Sequence, residues 1–313
     1  MAFAFKPNDD TALTGARRIA RQQLDTALGL LDAPAPPSPD RVHALRKHTK
    51  KLRGLVRLVL PVTRRLQRQN LRLRDAARQI APLRDAEVRR GTFDLLTRDM
   101  DREPGIQALR RLLQQDVAAV RQPASLERIT EGMRGELRAV RDALDGWALR
   151  KRYGGKRMEG AEAGFAVLRP GLETTWGAAQ AGLAASRAAL AGDFAADPFH
   201  EWRKAAKHHW YQARLLRPIW PEVMAPHVAA ADTLGELLGD HNDLDVLCAF
   251  LQSRVDAGDC PEGAAALPAL RAEVLQPRRL LAEKAVALGE RLFAPPARAV
   301  TDQWAAWWCA WHR

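Results

Sequence analysis

Valine, isoleucine and threonine are sparse in this chain, tyrosine occurs twice, and there are only three cysteines. The shortage of β-branched residues, against abundant Ala, Leu, Arg and Gln, disfavours strands and points to helix almost throughout. Cys248, Cys260 and Cys309 are odd in number and lack CxxC spacing, so they form no zinc site and fit a reducing cytoplasm. No run approaches 18 apolar residues, so no membrane span is expected. The opening MAFAFKPNDD lacks the charged segment and apolar core of a signal peptide. Walker loop, GxGxxG, nucleophile elbow and H-E-x-x-H are all missing. No spacing suggests a Ser/His/Asp or Cys/His set. Neither enzymatic chemistry nor a metal or cofactor is therefore expected.

What is present is core-forming material and positive charge. Hydrophobic residues make up 47% of the 313, enough for a sizeable interior, and nine tryptophans dominate the aromatics. Lys and Arg total 49 against 37 Asp and Glu, a formal charge of +12. That excess speaks about partners rather than fold, and it points to a polyanion.

Helix punctuation divides the chain. One helix is expected over 11–32, followed by the proline-rich APAPPSPD. Asp40 reads as the N-cap of a helix that ends at Pro61. Further helices are expected near 63–81, from Asp85, over 105–121 and over 125–147, with a break at Pro82. The basic, glycine-containing ALRKRYGGKRMEG then marks a boundary, giving a first half over 1–150, a linker over 151–165 and a second half over 166–313. In the second half, helices are expected over 170–190, from Asp197-Pro198 to before Pro218, from Pro221 towards Gly239, over 243–257 and over 268–292. The closing WAAWWCAWHR reads as an aromatic cap on a hydrophobic edge.

The second half repeats the first. DRVHALRKHTKKLRGLVRLVLP at 40–61 and DPFHEWRKAAKHHWYQARLLRP at 197–218 align at an offset of 157. Asp40, His43, Arg46, Lys47, Lys50, Arg57 and Pro61 match Asp197, His200, Arg203, Lys204, Lys207, Arg214 and Pro218. LRDAEV and HNDLDV then align at 158, matching Asp85 with Asp243. On a helical wheel His43, Arg46, Lys47, Lys50, Arg53 and Arg57 share one arc, opposite Leu45, Leu52, Leu55, Val56 and Val59. His200, Arg203, Lys204, Lys207 and Arg214 repeat that stripe, with Tyr211 inside it at the position of Gly54. Neither arc carries an interleaved acid, so like charges at i, i+3 and i+4 repel. A bound polyanion would relieve that repulsion; the alternative is a solvated basic face.

Placed at the third helical position, His43 and His200 feel a helix dipole and nearby cations that oppose the imidazolium. A bound phosphate would reverse that pressure, and a local hydrogen bond at the helix start is the simpler role. His208 and His209 are adjacent and face different directions, which does not suit a metal. Asp85 and Asp243 read first as N-caps, with orientation of stripe arginines as the alternative.

The motifs VHALRKHTKKLRGLVRLVLP, PLRDAEV, FHEWRKAAKHHWYQARLLRP and LGDHNDLDVL resemble those of the CHAD family, the conserved histidine α-helical domain. The resemblance spans from about residue 5 to 290 or beyond. It implies an all-α fold of two four-helix-bundle-like halves, related by internal pseudo-twofold symmetry, with a basic central groove or pore. It also implies non-enzymatic binding of inorganic polyphosphate, in some members with targeting to polyphosphate granules. By motif, the binding residues would be His43, Arg46, Lys47, Lys50, Lys51, Arg53 and Arg57, with His200, Arg203, Lys204, Lys207, Tyr211 and Arg214. Asp85 and Asp243 would support them. Two departures suggest unequal halves. GLETTWGAAQ lacks the arginines often found on the opening helix of the family's second half, and His208 and Trp210 stand where the first copy has Lys51 and Arg53. No ExExK strand signature of a triphosphate-tunnel domain is present, so a stand-alone, cytoplasmic binding module is expected. Nucleic acid is the alternative partner, disfavoured because the stripes hold no stacking aromatic except Tyr211 and no Asn or Gln placed for base edges. A polyphosphate-processing enzyme is a third reading.

Overall fold

The computed structural model describes residues 3–33, 37–100, 103–157 and 164–313. Among these, ten α-helices carry the fold, and none is long and apolar enough to cross a membrane. The first five are α1 (Ala12–Asp32), α2 (Pro39–Val59), α3 (Leu66–Leu96), α4 (Pro104–Val120) and α5 (Pro123–Asp142). The second five are α6 (Arg169–Ala191), α7 (Asp197–Leu216), α8 (Pro221–Asp256), α9 (Leu267–Leu292) and α10 (Ala297–Trp311).

Local chemistry explains most of the starts. At α1, the Thr11 hydroxyl accepts from Thr14 N–H while Thr11 N–H donates to the Thr14 hydroxyl, a reciprocal capping box. The cap of α2 is Ser38, not Asp40: its hydroxyl accepts from Arg41 N–H at 3.3 Å, and Pro39 follows at the first helical position. Proline lacks an N–H and its φ suits a first turn, so the helix begins before Asp40. Nor does Asp197 cap α7. Ala196 is already in the right-handed helical region and its carbonyl accepts from His200 N–H, so Asp197 lies inside the first turn. Both aspartates still favour the positive helix end. His43 and His200 consequently sit at the fifth and fourth helical positions.

Two expected breaks are absent. α3 continues through Pro82, and α8 runs unbroken past Gly239 and Asp240. An interior proline costs about 3 kcal/mol, but Leu73, Ala76, Ile80, Leu83 and Ala86 bury one continuous face of α3. Ala231, Leu234, Leu238, His241 and Leu244 do the same for α8. Asp85 and Asp243 are therefore mid-helix residues, and their expected N-capping role is overturned.

The boundary segment also differs from a plain loop. β1 (Thr63–Arg64) pairs antiparallel with β2 (Ala148–Leu149), registering Thr63 with Leu149. β3 (Arg152–Tyr153) and β4 (Lys156–Arg157) form a hairpin turned by Gly154 and Gly155, whose φ values of 55° and 79° suit glycine. The rest of the expected basic loop, 158–163, lies outside the described residues, as do 34–36 of the proline-rich turn.

The main core draws on α1, α2, α3, α5, α6, α7, α8, α9 and α10 together, so apolar packing crosses between the two repeats. A satellite core joins Phe93 of α3 and Leu109 and Leu113 of α4 to Leu247 and Leu251 of α8 and Leu270 of α9. The N-terminal segment is tied across the second repeat: Phe5 N–H donates to Leu215 O at 3.1 Å and its ring meets Trp308 edge-on at 5.5 Å. Trp304 and Trp308 of the closing aromatic run are buried. The order of packing is repeated, with α1 on α2, α2 on α3 and α3 on α4 in one half, and α6 on α7, α7 on α8 and α8 on α9 in the other. α2 also packs on α7, and α3 on α8.

Candidate anion-binding site

The two histidine-led helices meet at Gly54. A Cβ there would lie 2.6 Å from Tyr211 Cβ and 3.3 Å from its Cγ, so only glycine lets α2 and α7 approach this closely. On the N-terminal side of this contact is a cavity of about 530 Å³. From α2 it is lined by His43, Arg46, Lys47 and Lys50, and from α7 by His200, Arg203, Lys207, Trp210 and Tyr211. α3 adds Arg84, Asp85 and Arg89, and α8 adds Asp232, Glu236, Asn242 and Asp243. Seven Lys or Arg side chains thus face four carboxylates and two histidines.

Several of the cations are held in place. Arg46 Nη1 lies 3.2 Å from Asp85 Oδ1, so Asp85 anchors a stripe arginine. Lys207 Nζ is 3.8 Å from Asp232. Lys50 sits half-buried among the other lining cations. Burial pushes its ammonium down to about 8, Arg46, Arg203 and Lys207 push the same way, and Asp85 opposes them. Such crowding is the condition an anion relieves.

The two histidines occupy equivalent places with different chemistry. Burial lowers the His43 pKa, and Arg84, Lys47, Lys50 and Arg46 add to the effect. His200 Nδ1–H instead donates to Asn242 Oδ1 at 2.7 Å, and Asn242 Nδ2 donates to Asp243 Oδ1 at 3.3 Å. Asn242 is the counterpart of Arg84 at the 158 offset. Asp243 therefore acts on the second histidine through an amide, whereas Asp85 holds an arginine directly.

The other expected binding residues lie outside the cavity lining. Lys204 pairs with Glu201 at 2.6 Å, so the second stripe does contain a relieving acid, contrary to expectation. Lys51 stands 5.4 Å from the Phe3 ring, and burial, with Arg214 and Lys47 nearby, brings it to about 8. Arg214 lies 4.8 Å from the Trp210 ring, and Lys207 4.7 Å from it. Arg53 and Arg57 form a separate group with Arg74 and Arg78. Tyr211 is buried against Gly54 and meets Phe3 edge-on, so it serves the helix contact as well as the lining.

Sequence reasoning missed Arg84, Arg89, Trp210, Asp232, Glu236 and Asn242. Arg84 and Asn242 were within reach, since each precedes a motif aspartate; nothing local marks the α8 acids. Among the described residues, no group of three or more His, Cys, Asp or Glu side chains could hold a metal ion.

An all-helical chain with two basic, histidine-led helices lining one cavity is the class that fold and site define. A family model described as the CHAD domain matches residues 17–252, and the chain belongs to that family. Among solved structures, PptA from Streptomyces chartreusis is similar at a TM-score of 0.62 and 18% identity, covering 90% of this chain and 98% of that one. The CHAD domain from the plant Ricinus communis is similar at a TM-score of 0.52 and 17% identity, covering 88% and 91%. No curated protein matches the sequence.

Proposed function

We propose that this protein binds inorganic polyphosphate in the cavity between α2 and α7 and does not turn it over. The observation that carries the reading is the doubled cationic lining: Arg46, Lys47 and Lys50 from one repeat, Arg203 and Lys207 from the other. Polyphosphate is a flexible line of negative charge with nothing else to recognise. Arg can hold phosphate oxygens through two parallel N–H bonds, while Lys supplies compact charge. Each phosphate neutralised releases counterions, with a log–log salt slope of about −0.7 per phosphate by analogy with single strands.

Pseudo-twofold symmetry is part of this proposal, and reciprocal neighbours support it. Gly54 faces Tyr211, its own counterpart. Arg46 feels Arg203, and Lys50 feels Lys207, again counterparts. Lys51 neighbours Arg214, and shifting both by the offset gives His208 beside Arg57, which is also a neighbouring pair. Two helices related this way present matched charge to a ligand that has no intrinsic direction of its own at each phosphate.

Nucleic acid fits less well. The Trp210 ring already has Lys207 and Arg214 against it, and Tyr211 is buried, so neither is a free platform for a base. A protein that holds polyphosphate without cleaving it would sit on polyphosphate granules in a cytoplasm that makes them. The test is binding of the full chain to polyphosphates of defined length across a salt series, with duplex DNA and RNA as competitors at equal phosphate. Lys50→Gln with Lys207→Gln should weaken polyphosphate binding at least tenfold with unchanged helicity. Displacement by nucleic acid at equal phosphate, or release of orthophosphate by purified protein, would sink the proposal.

A further inference from the structure

The duplicated scaffold allows its two halves to be compared position by position. The α3–α8 register is secure: buried Leu73, Ala76, Ile80 and Leu83 map at 158 onto Ala231, Leu234, Leu238 and His241, all buried. In that register Arg74 corresponds to Asp232 and Arg78 to Glu236, so charge is reversed at both positions. On α7, Trp210 stands where α2 has Arg53.

The consequence is one strongly cationic flank and one balanced flank. On the α2–α3 side, Arg53 feels Arg57, Arg74 and Arg78, and no carboxylate bears on Arg53 or Arg57. Asp75 is the local acid, 3.0 Å from Arg74 and 3.7 Å from Arg78. Arg53 Nε is buried without a hydrogen-bond partner. On the α7–α8 side, Asp232 takes Lys207, and Glu236 adds a second negative charge beside it. Four guanidiniums against one carboxylate on one flank thus contrast with a mixed flank opposite.

We infer that the phosphate-binding surface continues out of the cavity along one flank only, as a second anion site formed by Arg53, Arg57, Arg74 and Arg78. The inference rests on the polyphosphate reading of the cavity. Arg53 and Arg57 follow Lys50 on α2 by three and seven residues, about 5 and 10 Å along the helix axis. A chain leaving Lys50 therefore meets the next cations within a few phosphates. At the corresponding positions on α8, Asp232 and Glu236 line the cavity itself and offer no such continuation. A polymer held in a nearly symmetric cavity would then be bound asymmetrically, and chains too short to reach the second site would not gain from it.

The experiment compares tripolyphosphate with long-chain polyphosphate on the full-length protein and on Arg74→Gln/Arg78→Gln. Both arginines are substantially exposed, at 40% and 69% of the side chain, and lie away from the cavity lining. Helicity and thermal midpoint are measured alongside. The expected result is about a tenfold loss of affinity for the long chain, with a salt slope shallower by about 1.4, the contribution of two neutralised phosphates. Tripolyphosphate affinity should stay within twofold. Unchanged long-chain affinity in the arginine variant, or equal losses for both ligands, would overturn the inference. Tripolyphosphate binding to the unsubstituted protein at two equivalents, one lost in the variant, would overturn the continuous path. Failure of the unsubstituted protein to bind either ligand would instead overturn the cavity reading itself.

Discussion

Replacing Gly54 by alanine adds one methyl group where α2 and α7 touch. Its Cβ would lie 2.6 Å from Tyr211 Cβ, whereas carbon atoms pack at about 3.5–4.0 Å. The helices must separate by about 1 Å, and Tyr211 cannot swing aside because the clash involves its own Cβ. Overpacking of this kind costs about 1–3 kcal/mol. Alanine recovers up to about 1 kcal/mol through its better helix propensity. The net expectation is a loss of about 1–2 kcal/mol, accompanied by weaker polyphosphate binding because Lys50 and Lys207 move with their helices. Urea unfolding of the parent, Gly54→Ala, Tyr211→Gly and the double variant supplies a thermodynamic cycle. Tyr211→Gly is costly by itself, since it removes a buried ring in edge contact with Phe3. It also makes room for the new methyl, so the second substitution should cost at least about 1 kcal/mol less together than apart. A Gly54→Ala protein more stable than the parent, with no coupling to position 211, would refute the reasoning.

Acid should weaken the fold through the buried histidine pair. His209 and His227 approach at 2.8 Å between Nε2 atoms, among Trp176, Phe293 and Trp304, and burial lowers His227 to about 4. Because the unfolded chain takes up the proton first, stability is complete above about pH 6.5 and declines as pH falls towards 4. One such shift corresponds to about 3 kcal/mol. Denaturant midpoints from pH 4 to 7 should show that limb, and His227→Phe should make it shallower without removing it, since burial lowers His48, His208 and His241 too; an unchanged slope would count against the pair. Polyphosphate binding should in turn take up protons. A bound anion offsets the cations that lower His43 and Lys50, so affinity should fall as pH rises through about 8, where free Lys50 loses its proton. Affinity should also rise as pH drops below the ordinary histidine range. Calorimetry in buffers of different ionisation enthalpy measures the uptake, and Lys50→Gln should remove its alkaline part.

The local pattern of residues determined that the chain is helical, that its halves repeat, and which two helices carry charge. Those features rest on nearest neighbours along the chain: the face shared by His43, Lys47 and Lys50, the proline after each basic helix, and the matched register of Lys50 with Lys207. Tertiary structure decided what each charge does. Asp85 and Asp243 looked like caps because Pro82 and Gly239 looked like breaks, yet packing of the flanking turns outweighs both. Arg53 and Lys50 share an arc on α2, yet different segments of α3 and α7 face them, so one lines the cavity and the other joins an arginine cluster. Asp232 and Glu236 were invisible as site residues, since only the packing of α7 on α8 brings them to Lys207. A helix's wheel is set by its own sequence, but the field at any point on it is set by the neighbours that only the fold supplies.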